Sequence, residues 1–468
     1  MRRFLTAGLL LFVVSFAAFE LSVNGVWATD HATSFIQLDY ALWHDHSVAL
    51  TSATAVPPWS VDDFVYGGQN YSALAPGTAF LALPFAGLGF TLAGGYTAYG
   101  VVLLTSETFV ALTGAVAAYL VYALAKLFFR RSTSLLLGFA FAFSTIEWPM
   151  ATYFFQSDVS AMFVLLAAYL GVRAVRADGE AKGIAALAGL AAGAAFTVDY
   201  VNGILIPILI AFIIMGKRGK APVFGPAAAF VLGAVPGFAA IGAYNFAIFG
   251  SPIVSTEASY LHTSSVLGSF STFPVYGLSL DLVSFSRGLL IYTPFLALGI
   301  VGYMEALRSG AVKSEMYLFL AIFLGILVPY SMWYDPYGGL SFGPRFLAAG
   351  IPFLLLPAGY VIERASGWKT WLVYALYLPG VTMNGMAGLV SAIPVAACGD
   401  VSPCFNASPF LSVVLPGFLR GDFDTWWAGA TGSPLLWGTL MIVALAVVVP
   451  VASVELVKRR ERGTSPLR

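Results

Sequence analysis

Charge, cysteine and histidine are scarce in this 468-residue chain: 10% of residues are Asp, Glu, Lys or Arg, two are Cys and four are His. Acids and bases balance to a formal net charge of zero, which argues against a nucleic-acid binder, since such a protein needs a basic face to displace counterions from phosphates. Short signatures of soluble catalysis are missing as well. There is no phosphate-binding P-loop, no HExxH and no paired CxxC. Neither a short-period repeat nor a low-complexity tail is present. What abounds is apolar surface. Hydrophobic residues make up 59% of the chain and mean hydropathy is +0.85, more than one soluble core could hide. The chain therefore reads as an all-α, polytopic integral membrane protein.

Apolar segments long enough to cross a bilayer, allowing for tilt, fall near 4–26, 97–128, 133–149, 159–176, 183–198, 200–216, 222–246, 288–307, 315–332, 346–363, 370–394 and 433–457. That makes about twelve spans. Arg2 and Arg3 precede the first of them, as in a signal peptide, but its length and the lack of a clean small-x-small site make it a first membrane helix. With a cytoplasmic N-terminus, all but Arg287, Arg345 and Arg420 of the 23 Lys and Arg residues fall on the inner side. This predicts a cell-membrane protein with both termini in the cytoplasm.

That charge pattern holds only if the run from Pro76 to about residue 93 does not cross. The stretch YGGQNYSALAPGTAFLALPF, Tyr66 to Phe85, is then a re-entrant or interfacial element, with Pro76 suited to a helix's first turn and Pro84 opposing a long straight helix. Residues 1–457 form one transmembrane domain on this map, with long outer loops at 27–96 and 395–432, and residues 458–468 form a basic cytoplasmic tail that can touch anionic lipid. Cys398 and Cys404 both fall in the last outer loop, where an oxidising milieu allows a disulfide. The sequons at Asn70 and Asn406 map to the same side.

Thirteen Asp and Glu residues face outward on this map against three Arg, so the working face is acidic with isolated cations. Such a face can bind a divalent metal, or use carboxylates as bases while Arg holds a phosphate. Asp30, directly after the first span, fits either a helix N-cap or a base that takes a proton from an acceptor hydroxyl. Asp158 opens the fourth span and Asp199 sits at a tight outer turn, and capping or turn chemistry accounts for either. Glu107, inside the second span, must face the bundle or a wet cavity. His44 and His46 have the spacing of a solvated loop rather than of a metal site on a helix. The loop WYDPYGGLSFGPRF, Trp333 to Phe346, plants Arg345 at the start of the tenth span, and Arg287 occupies the equivalent place at the eighth. Two such cations can share one phosphate or anchor separate headgroups.

Taken together these residues resemble the GT-C superfamily of membrane glycosyltransferases, in particular its protein O-mannosyltransferase and aminoarabinose-transferase-like branch. The likeness rests on Asp30, on the element from Tyr71 to Gly77, on YNFAIFGSP (Tyr244 to Pro252), on SRGLLIYTPFL (Ser286 to Leu296), and on the Gly338 to Arg345 loop. The resemblance implies a sugar donor carried on polyprenyl phosphate, a protein or lipid acceptor, and a first outer loop folded into juxtamembrane helices over the cavity. It also implies that Asp30 is the catalytic acid residue and that Arg345 is a phosphate ligand. The candidate set is thus Asp30 for catalysis and Arg345, Arg287, Tyr71 and Asp158 for substrate binding, with a divalent cation as a possible cofactor and its ligands unassigned. One departure stands out: related sequences carry an acid and a Lys where this chain has Ala73 and Leu74. A transporter and a catalytically inactive relative that only binds are the competing classes.

Overall fold

The computed structural model describes residues 2–25, 29–50, 60, 62–94, 99–177, 181–217, 224–262, 266–309, 313–339, 341–390 and 407–463. Helices dominate, as a chain with no water to satisfy its backbone in hydrocarbon requires. Five of them, α4 (Tyr99–Ala125), α7 (Gln156–Arg176), α10 (Phe224–Phe249), α15 (Lys313–Ser331) and the C-terminal run Pro434–Arg459, are by themselves long and apolar enough to cross a membrane.

The other expected spans fold as shorter, interrupted or less apolar helices. These include α1 (Arg2–Ser22), α5 (Arg131–Phe143), α8 (Lys182–Val198), α9 (Leu205–Gly216) and α18 (Trp368–Leu389). The eighth segment breaks at Pro294 into α13 (Leu289–Tyr292) and α14 (Leu296–Ser309), and the tenth breaks into α16 (Ile351–Leu355) and α17 (Ala358–Arg364). Proline explains both interruptions, since it removes a backbone donor and clashes with the preceding turn. The C-terminal helix continues through Gly463, so the basic tail begins as helix.

The stretch around Tyr66 divides into two parts. Strands β1 (Asp63–Tyr66) and β2 (Gln69–Ser72) pair antiparallel, Phe64 opposite Tyr71, around Gly67 and Gly68, whose φ values of 58° and 80° suit the tight hairpin turn. Then α3 (Gly77–Leu92) runs as one helix, with Pro84 inside it. Pro84 lies inside a continuous helix, which is short rather than long. At 16 residues α3 is about 24 Å long, shorter than the roughly 30 Å hydrocarbon core. It packs on α4 and on α2 (Asp30–Tyr40).

Close helix approaches are made by glycine. A Cβ added at Gly189 on α8 would lie 1.9 Å from Phe230 O of α10, and one at Gly233 of α10 would lie 2.0 Å from Ala186 O. Glu107 faces the bundle: its Oε2 accepts the backbone N–H of Gly25 at 2.8 Å and so fastens the end of α1 to α4. Ion pairs gather at one end of the bundle. Arg176 pairs with Glu315 at 2.8 Å and Arg364 with Glu305 at 2.5 Å, while Glu461 accepts from the N–H of Arg131 and the hydroxyl of Ser132. The helix ends away from these pairs enclose a cavity. The cysteine pair and the Asn406 sequon lie outside the described residues.

Candidate active site

Thr29 decides how Asp30 is presented. Its side chain accepts the N–H of Ala32 at 3.0 Å and caps α2, so the capping role open to Asp30 is already filled by its neighbour. Asp30 occupies the first helical turn, where the helix dipole favours a negative charge, and its exposed carboxylate has no hydrogen bond or ion pair among the described residues. Ser60 holds this turn in place by donating to Asp30 O at 2.8 Å.

Across the cavity, the glycine-rich loop before the tenth span is built around its own side chains. Gly338, Gly339 and Gly343 all have φ near +65°, a conformation that costs glycine little. Asp335 accepts the N–H groups of Tyr337 and Gly339, Arg345 Nε donates to Gly338 O at 2.5 Å, and Arg287 Nη2 donates to Gly339 O at 2.6 Å. The Arg345 guanidinium lies against the rings of Phe155 and Phe346, at 4.8 and 4.9 Å from their centroids. Phe346 in turn stacks on Tyr330, which donates its hydroxyl to Asp199. The guanidinium is thus fixed in plane, with its terminal nitrogens free for a ligand among the described residues.

Asp30 and Arg345 line one cavity of about 880 Å³. Five elements that the chain separates widely contribute to it: the start of α2, the Ala73–Ala75 wall, the turn after α8, the end of α15 with the following loop, and the segment around α19 (Leu415–Arg420). Its size matches sites for drug-sized ligands. Asp62 bridges its two charged sides. His31 Nδ1 lies 2.7 Å from Asp62 Oδ2. Burial alone would raise the Asp62 carboxyl, but the His31 ring and the Arg345 guanidinium outweigh it and hold the group below the usual range. Burial pushes the neighbouring Asp63 up to about 6 even though Ser34 Oγ donates to it at 2.7 Å.

The other predicted residues lie elsewhere. Arg287 is buried behind the Gly338–Gly339 turn and does not line the cavity, so it reaches the site through Gly339. Tyr71 is buried in β2 against Phe64. Asp158 is buried in the first turn of α7 with its carboxyl facing that of Glu147 on α6 (Glu147–Met150), also away from the cavity. His44 is exposed and pairs with Asp45 at 2.8 Å. Sequence reasoning did not single out Asp62, Glu257, Tyr334, Asp335 or the exposed Arg420–Asp422 pair, all of which line the cavity. Only the excess of acids on the outer loops hinted at them. Among the described residues no three His, Cys, Asp or Glu side chains converge closely enough to hold a metal ion.

Residues 85–241 match the family described as dolichyl-phosphate-mannose-protein mannosyltransferase. No curated protein matches the sequence. Among solved structures, ArnT from Cupriavidus metallidurans bound to undecaprenyl phosphate is similar over 95% of this chain and 77% of its own, at 14% identity and a TM-score of 0.56. The archaeal oligosaccharyltransferase AglB from Archaeoglobus fulgidus, in complex with an inhibitory peptide and a dolichol-phosphate, is similar over 81% of this chain and 56% of its own, at 11% identity and a TM-score of 0.51. At such identities the likeness is one of architecture, and together with the family match it establishes that this chain has the fold of the GT-C membrane glycosyltransferases.

Proposed function

We propose that the protein is a membrane glycosyltransferase that moves a sugar from a polyprenyl-phosphate carrier to a protein or lipid acceptor on the outer face of the membrane, with inversion. The observation that carries this reading is the shared cavity: an unpaired carboxylate at Asp30 and a planar, immobilised guanidinium at Arg345 open into the same space. In this mechanism Asp30 takes the proton of the acceptor hydroxyl as its oxygen bonds to the anomeric carbon. The bond from that carbon to the phosphate oxygen breaks on the opposite face, and the electron pair leaves with the polyprenyl phosphate. Arg345 stabilises the charge that develops there, while Arg287 keeps the Gly338–Gly339 turn, and hence Arg345, in position. The carrier phosphate on ArnT and the dolichol-phosphate on AglB support this substrate class by analogy of fold.

The test is turnover of labelled polyprenyl-phosphate sugars by the purified protein in lipid nanodiscs, followed in wild type and in Asp30→Asn. Loss of a general base should lower the rate by about 10² to 10⁴ while leaving carrier binding intact. Turnover within about twofold of wild type in Asp30→Asn, judged against that same range, would sink the mechanism. Sided uptake of the sugar into proteoliposomes, unaffected by Asp30→Asn, would instead favour a transporter.

A further inference from the structure

The cavity wall formed by Ala73, Leu74 and Ala75 carries no ionisable side chain of its own. Packed against it is α11 (Thr256–Tyr260), a short helix in the loop after α10. Thr256, fully buried, fastens the two together: its Oγ1 donates to Ala73 O at 3.0 Å and lies 3.3 Å from the Tyr200 hydroxyl. That bond fastens the start of α11 to the wall, and the next residue, Glu257, lines the cavity. Its carboxyl has no hydrogen-bond or ion-pair partner among the described residues.

We propose that Glu257 is a third substrate-contacting group of this cavity, a neutral carboxylic acid that donates a hydrogen bond to a phosphate oxygen of the lipid carrier. The inference rests on the phosphate reading given above. Its surroundings decide the protonation state. Asp62 from the first outer loop and Asp199 after α8 lie within electrostatic reach of it. The phenols of Tyr200, Tyr330 and Tyr334 lie within the same reach. Burial and the Asp199 and Asp62 charges push the Glu257 carboxyl up to about 8. Glu257 and Arg345 line the same cavity, and Asp62 and Asp199 lie within electrostatic reach of both. A protonated carboxyl there adds a donor to an anionic oxygen without adding repulsion, whereas the ionised form would repel it.

The probe is a polyprenyl methyl phosphodiester, whose single negative charge does not change between pH 7 and 9, bound to the full-length protein in nanodiscs. Wild-type affinity should fall about tenfold from pH 7 to pH 9 as Glu257 loses its proton. Glu257→Gln, a permanent donor, should bind as tightly as wild type at pH 7 and vary by less than about twofold over that range. Glu257→Ala should bind weakly at both pH values. Equal pH dependence in wild type and Glu257→Gln, with binding lost in Arg345→Ala, overturns this inference alone. Failure of the diester to bind wild type at any pH overturns the phosphate reading and this inference with it. Thermal unfolding of each variant separates a binding loss from a folding loss, and Glu257→Gln keeps the test open should Glu257→Ala not fold.

Discussion

Arg345 shows why a residue's number of charges says less than its geometry. Only 6% exposed, it keeps its charge because two aromatic faces and the Gly338 carbonyl replace part of its hydration, while Asp62 and Asp335 supply opposite charge. Lysine in its place preserves the charge and loses both the flat stacking surface and the Nε donor. Arg345→Lys is therefore expected to weaken binding of polyprenyl phosphate about tenfold, near 1.4 kcal/mol, measured by direct titration in nanodiscs. Full affinity in that variant would mean that point charge alone suffices. The sequence marked Asp30 because it directly follows the first span, and Arg345 because it is a cation at the start of a span on an acidic face. It could not separate them from Tyr71, Asp158 and Arg287, because the direction of a side chain relative to a cavity depends on neighbours far along the chain. Glu257 carried no signal beyond being one acid among thirteen.

At the scale of elements, small residues control how far the helices that frame the cavity stand apart. Gly277 on α12 (Pro274–Val283) touches the end of α15, and a Cβ there would lie 1.8 Å from Ser331 O. Since Trp333, Tyr334 and Asp335 follow directly, Gly277→Ala should push the glycine-rich loop outward. We expect a loss on the order of 1–3 kcal/mol in thermal unfolding and a parallel loss of carrier binding. Gly183→Ala on α8, where nothing lies within 4 Å of the added atom, is the control and should be neutral or stabilising. Helix positions were legible from hydropathy, because burial in hydrocarbon is a property each segment carries by itself. Interruptions were less so. The break at Pro294 and the unbroken passage of α3 through Pro84 involve the same residue type with opposite outcomes. Helix α3 packs on α2 and α4, and packing of this kind can offset the backbone bond that proline removes.

For the whole molecule, the cavity and the cluster of basic ion pairs occupy opposite ends of the bundle. Helix α7 begins beside the cavity at Gln156 and ends at the Arg176–Glu315 pair, and α15 runs the other way, from Glu315 to Tyr330. On the proposed orientation, with the basic end inside, the cavity is expected on the outer face. In a background with Cys398 and Cys404 replaced by Ser, a membrane-impermeant maleimide should label Tyr334→Cys in intact cells and Lys369→Cys only after lysis. The reverse pattern would refute the outward-facing assignment together with the proposed exoplasmic transfer.

The sequence alone determined that the chain is a helical membrane protein with its basic residues on one side, because transfer into hydrocarbon and loop charge are local quantities that add along the chain. Only the tertiary structure decided which outer-loop acids meet Arg345 in one cavity, and that Thr256 brings Glu257 to the uncharged wall at Ala73. Such meetings depend on helix crossings and loop closures between distant segments, and no single segment encodes them.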